Sequence, residues 1–285
     1  MGPPLDPART TVEARSIDQA TALVSIDLET DYGSGLDEAL SQTGRLLDLL
    51  ARLGVPLTAF VEGQFFERRR PLCRLLLEAG VDVQLHCYDH AEPGDSPATL
   101  RRGALAFEDC CGRAPEGYRA HTYQLTHELY ETLLERGFKW DSSLMRGLGQ
   151  GRNAHAAFQH GDYFVLGGRL LEFPIARWRG LPLPLNHAYR LLLRTPAEHA
   201  LWALSGPERL LTFNVHMTDL VRCGSLAHSP ITGLPRVLFR YMWAGRGGDT
   251  FGSLESFLTR VRQGGWVFSS TQALYGRLAA GTALS

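Results

Sequence analysis

Two spacings of apolar residues alternate along the first third of the chain. Short, mainly apolar runs predict buried strands at residues 22–26, 55–61 and 81–85. Leucine-rich stretches with helical spacing lie between them, at residues 37–53 and 71–79. Because the order is strand, helix, strand, helix, strand, the pattern predicts parallel strands joined by right-handed crossovers.

The alternation continues beyond residue 85 but becomes less regular. The predicted helices are residues 97–111, 126–136 and 253–262 and a last helix from Thr271; the predicted strands are residues 117–120, 138–143, 169–175, 210–216 and 266–268. Three less regular segments interrupt this order, at residues 146–162, 177–205 and 224–250. We predict a long loop for the first, an irregular cover with one or two helices for the second, and an excursion punctuated by Gly and Pro for the third.

The chain shows no internal repeat and no linker that would mark a second domain. With 285 residues and 44% hydrophobic content, it can bury one sizeable core. We therefore predict an α/β protein with a polar N-terminal arm at residues 1–20 and a single domain at residues 21–285.

Charge and cysteine usage limit the cell compartment and the class of partner. The 29 basic and 30 acidic residues give a net charge of -1, so the chain has no general attraction for nucleic acid or anionic lipid, although local patches remain open. The five cysteines are odd in number and scattered, as is usual in a reducing compartment. There is no apolar stretch of signal-peptide length near residue 1 and no run of about 18 apolar residues. These features predict a cytoplasmic protein without a transmembrane segment or a nucleic-acid partner.

Acidic residues and histidines follow the first and third predicted strands. Asp27, Glu29 and Asp31 come directly after residues 22–26, and two histidines, His86 and His90, lie four positions apart after residues 81–85. Neutral imidazole and carboxylate are common ligands of zinc and similar ions. Taken alone, the acidic cluster also fits a solvated turn before a helix, and the histidine pair also fits chance spacing.

Polar residues also follow the later strands. Arg119, Asp141 and His216 come at the ends of three further predicted strands. Any one of them alone would be interpreted as a surface or core residue. In a parallel α/β protein, however, the carboxyl ends of the strands meet on one side, where such folds build active sites. The joint pattern therefore predicts one polar site.

The ordered set of motifs resembles the NodB-homology polysaccharide deacetylases, which are carbohydrate esterase family 4. The five segments concerned are Ser25 to Glu29, His86 to His90, Tyr118 to His121, Trp140 to Ser143 and Leu211 to His216. The resemblance covers roughly residues 21–278. It implies a distorted (β/α) barrel of the polysaccharide deacetylase type, with residues 21–285 as a deacetylase-like catalytic domain.

The resemblance also implies a metal site and a catalytic base. Asp27 matches the base, Glu29 the metal carboxylate, and His86 with His90 the metal histidines. The implied cofactor is one divalent ion, and zinc is the ion we expect. The family often has adjacent aspartates where this chain has Asp27-Leu28-Glu29, so Asp31 stays open as a rival carboxylate ligand.

Further motif positions imply the rest of the catalytic set. Arg119 matches the arginine that holds the base, and His216 matches the late histidine that acts as acid. Asp141 falls where the family often places an acid that tunes this histidine. His121 stands where a proline is usual, which affects the expected substrate groove and leaves the reaction unchanged.

Such a site supports hydrolysis of an amide. A site of two histidines and one carboxylate leaves positions for a water and for a substrate carbonyl. Asp27 would take the proton of the water, and His216 would protonate the departing amine. The implied enzyme is a metal-dependent N-deacetylase, an amidohydrolase acting on a linear amide C–N bond.

The substrate class rests on the absence of an export signal, the reduced-type cysteines and the three irregular segments. We expect removal of an N-acyl group, first of all N-acetyl, from one amino sugar in a cytoplasmic glycoside, nucleotide sugar or lipid-linked saccharide. Three alternatives stay open: a non-haem iron oxygenase, a hydrolase of a non-sugar amide such as a formamide or ureide, and a non-catalytic carbohydrate-binding module on the same fold.

Overall fold

The structure, a computed structural model, describes residue 5 and residues 9–90, 95–146, 158, 160–181, 183–206 and 208–281. Its strands are β1 (Val12–Arg15), β2 (Thr21–Leu28), β3 (Leu57–Val61), β4 (Asp82–Leu85), β5 (Gly117–Tyr118), β6 (Trp140–Asp141), β7 (Tyr163–Leu166), β8 (Leu170–Glu172), β9 (Leu210–His216) and β10 (Val267–Ser269). Its α-helices are α1 (Thr43–Leu53), α2 (Gly63–Arg68), α3 (Arg70–Glu78), α4 (Pro97–Cys111), α5 (His127–Glu135), α6 (His187–Leu204), α7 (Met217–Leu220), α8 (Gly233–Trp243), α9 (Phe251–Gln263) and α10 (Thr271–Gly281).

The strands form one curled sheet around β2. In spatial order the sheet is β1-β7-β8-β6-β5-β4-β3-β2-β10, and β9 pairs with β2 along its other side. All these pairs are parallel except β1 with β7 and β7 with β8. After β8 the chain reaches β9, where the N–H of Ala176 donates to the carbonyl of Thr212 at 3.0 Å. The sheet is therefore a distorted (β/α) barrel, as the sequence predicts.

The barrel interior changes from apolar to polar along the strands. Because side chains alternate along a strand, Leu23, Ser25 and Asp27 of β2 point to the same side. Leu23 packs in an apolar cluster with Phe60, Trp140 and other interior residues, whereas Ser25 and Asp27 contact polar groups. The apolar layer fills the lower part of the barrel, and the carboxyl ends of the strands hold the polar layer above it.

Tight packing in this lower layer requires a glycine on β5. A Cβ atom at Gly117 would overlap the indole of Trp140 on the neighbouring strand, with which Gly117 is in register. Only glycine allows the large ring to lie flat against the backbone at this point. The indole Nε1 donates to Gln272 of α10 at 2.8 Å, so the ring also anchors the last helix.

Most predicted elements in the first half of the chain are observed, but α1 begins at Thr43 rather than at residue 37, and α2 was not predicted. Residues 97–111 were predicted as a helix and form α4, whose N-cap Ser96 and Thr99 make a reciprocal capping box. Helix α1 ends at Gly54 in the left-handed conformation, with φ of 58°. Local capping and turn chemistry therefore explain why these boundaries can be predicted.

The less regular segments contain more structure than their patterns indicate. The N-terminal stretch includes β1, which pairs antiparallel with β7, a strand that the sequence did not predict. Segment 177–205 contains α6, interrupted by the backbone of Arg194 (φ 64°, ψ 156°) just before Pro196. Most of the loop predicted at residues 146–162 lies outside the described residues.

Helix α8 lies in the segment that was predicted as an excursion. Pro235 in its first turn suggested a break, but proline is compatible with the first turn of a helix because the N–H groups there have no partner within the helix. Across the described ranges, no helix combines the length and the hydropathy needed to cross a bilayer.

Candidate active site

Glu29, His86 and His90 bring three potential ligand atoms together at the carboxyl ends of β2 and β4. Glu29 Oε2 lies 3.3 Å from His86 Nε2 and 3.0 Å from His90 Nε2, and the two Nε2 atoms are 3.2 Å apart. Ligand atoms around a tetrahedral zinc ion, with bonds of about 2.1 Å, are separated by about 3.4 Å. The spacing and chemistry of the three donors therefore fit one divalent ion.

Backbone hydrogen bonds orient this ligand set. His86 Nδ1 lies 2.6 Å from the carbonyl oxygen of Arg119, so the N–H at Nδ1 donates there and Nε2 keeps its lone pair for a metal. Buried Glu62 accepts from the backbone N–H of His90 at 2.9 Å and from that of Thr30 at 3.2 Å. Glu62, which the sequence analysis missed, thus ties together the two loops that hold the ligands.

Asp27 and Arg119 form a fully buried ion pair beside the ligand set. Nη1 of Arg119 donates to Asp27 Oδ1 at 2.7 Å and also to Asn214 Oδ1 at 2.7 Å. Burial acts to raise the pKa of Asp27, but Arg119 and the neighbouring histidines His216 and His86 outweigh it and hold the pKa below its usual value. Asp27 is therefore ionised and able to accept a proton.

Two further side chains orient the Asp27 carboxylate. Asn214 Nδ2 donates to Asp27 Oδ2 at 2.9 Å, and the hydroxyl of Tyr123 donates to the same oxygen at 3.2 Å. Asn214 lies two residues before His216 on β9, so both point into the barrel. The period of two along β9 could have predicted Asn214 as a site residue; no comparable pattern marks Tyr123.

His216 lies beside Asp27 on the neighbouring strand. The two residues are register partners of β9 and β2, and His216 Nε2 is 3.4 Å from Asp27 Oδ2. Burial acts to lower the pKa of His216, but its neighbours, including Tyr123, Glu29 and Asp219, outweigh burial, and the pKa lies well above its ordinary value. His216 is therefore a cation in this arrangement and a suitable proton donor.

The carboxylate within reach of His216 Nδ1 is Asp219, whereas the sequence prediction gave the role of tuning this histidine to Asp141. Asp219 Oδ2 lies 3.3 Å from His216 Nδ1 and also accepts the backbone N–H of His216 at 3.0 Å. Asp141 instead accepts the hydroxyl and the N–H of Ser143. Burial raises the pKa of Asp141, and the hydrogen bonds with Glu172 and Ser143 offset this only in part. Both carboxylate oxygens of Asp141 accept from Ser143, and its strand β6 pairs with β5 and β8 rather than with β9.

Asp31 and Cys87 are two other potential metal ligands near this part of the chain. Asp31 turns away from the histidines, and its Oδ2 accepts from the N–H of Ala39 at 3.1 Å and from the hydroxyl of Ser225 at 3.0 Å. Cys87 lies close to both histidines and is fully buried, and burial raises the pKa of its thiol well above the usual value. Glu29 is thus the carboxylate beside the histidine pair.

His121 forms one wall of the site. Its ring stacks on that of His90, with the centroids 3.8 Å apart and the planes 7° from parallel. Burial and the nearby His90 and His86 lower the pKa of His121 to about 3, so this ring is neutral near pH 7. His121 therefore offers a flat, uncharged surface over the imidazole of His90.

A cavity of about 580 Å³ opens over these groups. Its floor contains Asp27, Glu29, His86, His90 and His216, and one wall comes from the segment at residues 224–250, through Pro230, Ile231 and Phe239. Tyr32 completes this apolar wall and contacts Phe239 edge to face, at 5.1 Å between the ring centroids. The cavity thus has a polar, reactive floor and an apolar side.

Residues 26–138 match the family model described as polysaccharide deacetylase. Over these residues the chain is similar to the polysaccharide deacetylase family, as the motifs indicate. This segment contains Asp27, the three candidate ligands and Arg119, and it ends before Asp141 and His216.

One curated protein to which this chain is similar is the peptidoglycan deacetylase of Helicobacter pylori. The two sequences are 32% identical over 124 residues, which is 42% of each chain. The chain spans 36% and 42% of the lengths of the curated relatives it matches.

Solved structures with the same fold include a probable polysaccharide deacetylase from Pseudomonas aeruginosa PAO1, with a TM-score of 0.54, 16% identity and 94% of both chains covered. Puue allantoinase has a TM-score of 0.56 and 14% identity, with 94% of this chain and 92% of that chain covered. At these identities the likeness shows the fold alone, and it confirms the predicted deacetylase-type barrel.

Proposed function

We propose that this protein is a metal-dependent hydrolase that removes an N-acyl group, first of all N-acetyl, from an amino sugar. The observation that supports this most directly is the convergence of Glu29, His86 and His90 beside the Asp27 and His216 pair. The match of residues 26–138 to the polysaccharide deacetylase family model and the similarity to a relative named peptidoglycan deacetylase agree with it.

One divalent ion, most plausibly zinc, would be held by Glu29, His86 and His90; when bound, such an ion acidifies a water and polarises a carbonyl. The remaining chemistry belongs to the chain. Asp27 is kept ionised by Arg119 and removes a proton from the attacking water. Asn214 and Tyr123 both donate to Oδ2 of Asp27, which fixes the orientation of the carboxylate.

His216 completes the reaction as the acid. Its Nε2 atom faces Asp27 and Glu29, while Nδ1 donates to Asp219 on the other side of the ring. A protonated Nε2 can transfer its proton to the leaving nitrogen, and an amine leaves poorly without one. Asp27 on β2 would therefore act as the base, and His216 on the adjacent strand β9 as the acid.

The shape of the cavity supports a small substrate. Pro230, Ile231 and Phe239 rise beside the reactive floor, and Ala188 of α6 lies at the same side. Such walls suit one amino sugar with an attached group, because a long polymer needs an open groove. We propose a glycoside, a nucleotide sugar or a lipid-linked saccharide as the substrate. All five cysteines are free, which supports a cytoplasmic intermediate.

The test is release of acetate or formate from a panel of N-acylated amino sugars, either free, nucleotide-linked or lipid-linked, by zinc-loaded protein. Allantoin and polymeric chitin are the comparison substrates. We expect turnover of at least one small amino sugar and its loss in Asp27→Asn. Turnover of allantoin alone would reject an amino sugar as the substrate. Turnover of chitin alone would reject a small molecule as the substrate.

A further inference from the structure

The segment at residues 221–248 differs in charge from the rest of the chain. It contains four arginines and neither aspartate nor glutamate, although the whole chain has a net charge of -1. The segment includes α8 and forms the apolar wall of the catalytic cavity. Positive charge is therefore concentrated at one side of the cavity mouth.

Helix α8 presents an apolar stripe to solvent. Leu234, Val237, Leu238 and Tyr241 are 68%, 60%, 40% and 46% exposed. Their spacing of three, four and seven residues places all four on one face of the helix. An exposed apolar stripe of this kind marks an interaction surface, whereas scattered single residues do not.

The opposite face of α8 holds the helix on the protein. Phe239 contacts Tyr32, and buried Met242 and Trp243 form a small cluster with Leu191 of α6. The helix is thus anchored by one face, and its apolar outer face stays largely exposed, with the guanidinium of Arg194 lying 4.4 Å from the ring centroid of Tyr241.

Arginines flank the exposed stripe. Arg222, Arg236 and Arg240 line a cavity of about 680 Å³ next to α8, together with the indole of Trp243. Among the described residues, none of the three lies within 4.0 Å of a carboxylate oxygen. Their charges are therefore available to anionic groups from outside the chain.

We propose that α8 docks on the surface of an anionic lipid bilayer. Leu234, Val237, Leu238 and Tyr241 enter the boundary of the acyl chains, and the three arginines pair with lipid phosphates. A helix with one apolar face and flanking arginines has the composition of an interfacial helix, which binds through buried apolar area and attraction to anionic lipid.

Charge decides between a bilayer and a second copy of the chain. A two-fold contact through α8 would bring the arginines of two copies close together. The segment contains no carboxylate that could neutralise their charges. A phosphate-rich surface instead neutralises every arginine. An anionic bilayer is therefore the better complement of this face.

Docking would also determine which substrate reaches the site. Ile231 and Phe239, from the same segment, line the catalytic cavity, so the mouth of the cavity would lie at the bilayer surface. If the proposed function holds, this position favours a lipid-linked amino sugar over a free glycoside. The docking itself does not depend on that reaction.

The test is co-sedimentation of the whole chain with vesicles of phosphatidylcholine alone or mixed with phosphatidylglycerol. We expect binding to the mixed vesicles that falls as salt rises. The double variant Arg236→Gln with Arg240→Gln should bind about 30-fold more weakly, since two charges near the surface are lost. Leu234→Ser with Val237→Ser should reduce binding by roughly tenfold or more.

Matched variants outside the segment serve as controls. Leu105 on α4 is 57% exposed, and Leu105→Ser should bind as the wild type does. Arg52→Gln with Arg101→Gln removes the same charge from α1 and α4 and should have little effect. Circular dichroism checks that every variant is folded.

Two results would overturn the proposal. One is equal sedimentation of wild type and α8 variants with the mixed vesicles. The other is a dimer, measured by light scattering, that the Leu234 variant separates, because that result would assign the face to a second copy. Vesicle binding without any deacylation would leave the docking standing and reject only the proposed function.

Discussion

Asp219→Asn should move the alkaline limb of the pH–rate profile to lower pH. Asp219 is buried, and its Oδ2 lies 3.3 Å from His216 Nδ1. The substitution keeps the shape and a hydrogen-bond acceptor but removes the negative charge. Because that charge favours the protonated ring, its loss lowers the pKa of His216, and the acid is then lost at a lower pH.

The size of the shift follows from the distance. With an effective dielectric constant near 20, two unit charges 3.3 Å apart interact by about 5 kcal/mol, which is an upper bound. His216 is 22% exposed at its side chain and also faces Asp27, so part of the interaction is screened or shared. An opposite charge at this range shifts a pKa by about one to three units, or about 1.4 to 4 kcal/mol.

Two measurements together test this shift. The pH dependence of kcat/KM on an accepted N-acyl amino sugar reports the acid of the free enzyme. NMR titration of 15N-labelled histidines gives the pKa of His216 without any substrate, and the signal is identified by its absence in His216→Gln. In Asp219→Asn, the alkaline pKa of the kcat/KM profile and the pKa of His216 measured by NMR should fall by the same amount.

Asp141→Asn is the matched control, since it removes a buried carboxylate that bonds Ser143 rather than His216. Its alkaline limb should stay where the wild type has it. If Asp219→Asn left the His216 titration unchanged while Asp141→Asn lowered it, the assignment drawn from the geometry would be wrong and the one drawn from the motif would be right.

Three further predictions each rest on one substitution, two of them with a control substitution. His86→Ala should lose the bound divalent ion in elemental analysis, and Asp31→Asn should keep it; an ion retained in the first would remove the histidine from the site. Asp27→Asn should keep the ion but lower kcat by about 10² to 10⁴-fold, and unchanged turnover would reject its role as base. Gly117→Ala should lower the free energy of unfolding in urea by about 1 to 3 kcal/mol, because the added Cβ would overlap the neighbouring indole. Gly44→Ala, whose added Cβ meets nothing within 4 Å, should not destabilise the fold. Equal urea midpoints for Gly117→Ala and the wild type would contradict the packing argument.

The polar groups at strand ends could be predicted because two regularities coincide there. Parallel strands end on one side of the barrel, and Asp27, Glu29 and His86 lie at or just after the ends of strands whose apolar runs are clear. Arg119 follows the short strand β5 at the same side. No knowledge of side-chain conformation is needed to see that such residues meet. The family motifs then order them into the same site.

Partners that lie off this regular pattern could not be predicted in the same way. Asp219 belongs to the short helix α7, where it reaches back to its N-cap residue His216. The sequence carries that signal as an acidic residue three positions after the histidine, a capping pattern. The exposed face of α8 has no such signal, since periodicity shows that a helix has an apolar face but not whether the fold covers it.

The site depends on the pairing of β9 with β2, which are far apart in the sequence. Asn214 and Asp27 are 187 positions apart, yet they touch only after β9 has paired with the first interior strand. Until then β2 offers an unpaired edge of entirely buried residues, the kind of edge that pairs with other chains and aggregates. Contacts this distant in sequence form slowly. A chain shortened before residue 210 would therefore lack His216, the proposed proton donor. It would also leave one edge of β2 unpaired and prone to aggregation.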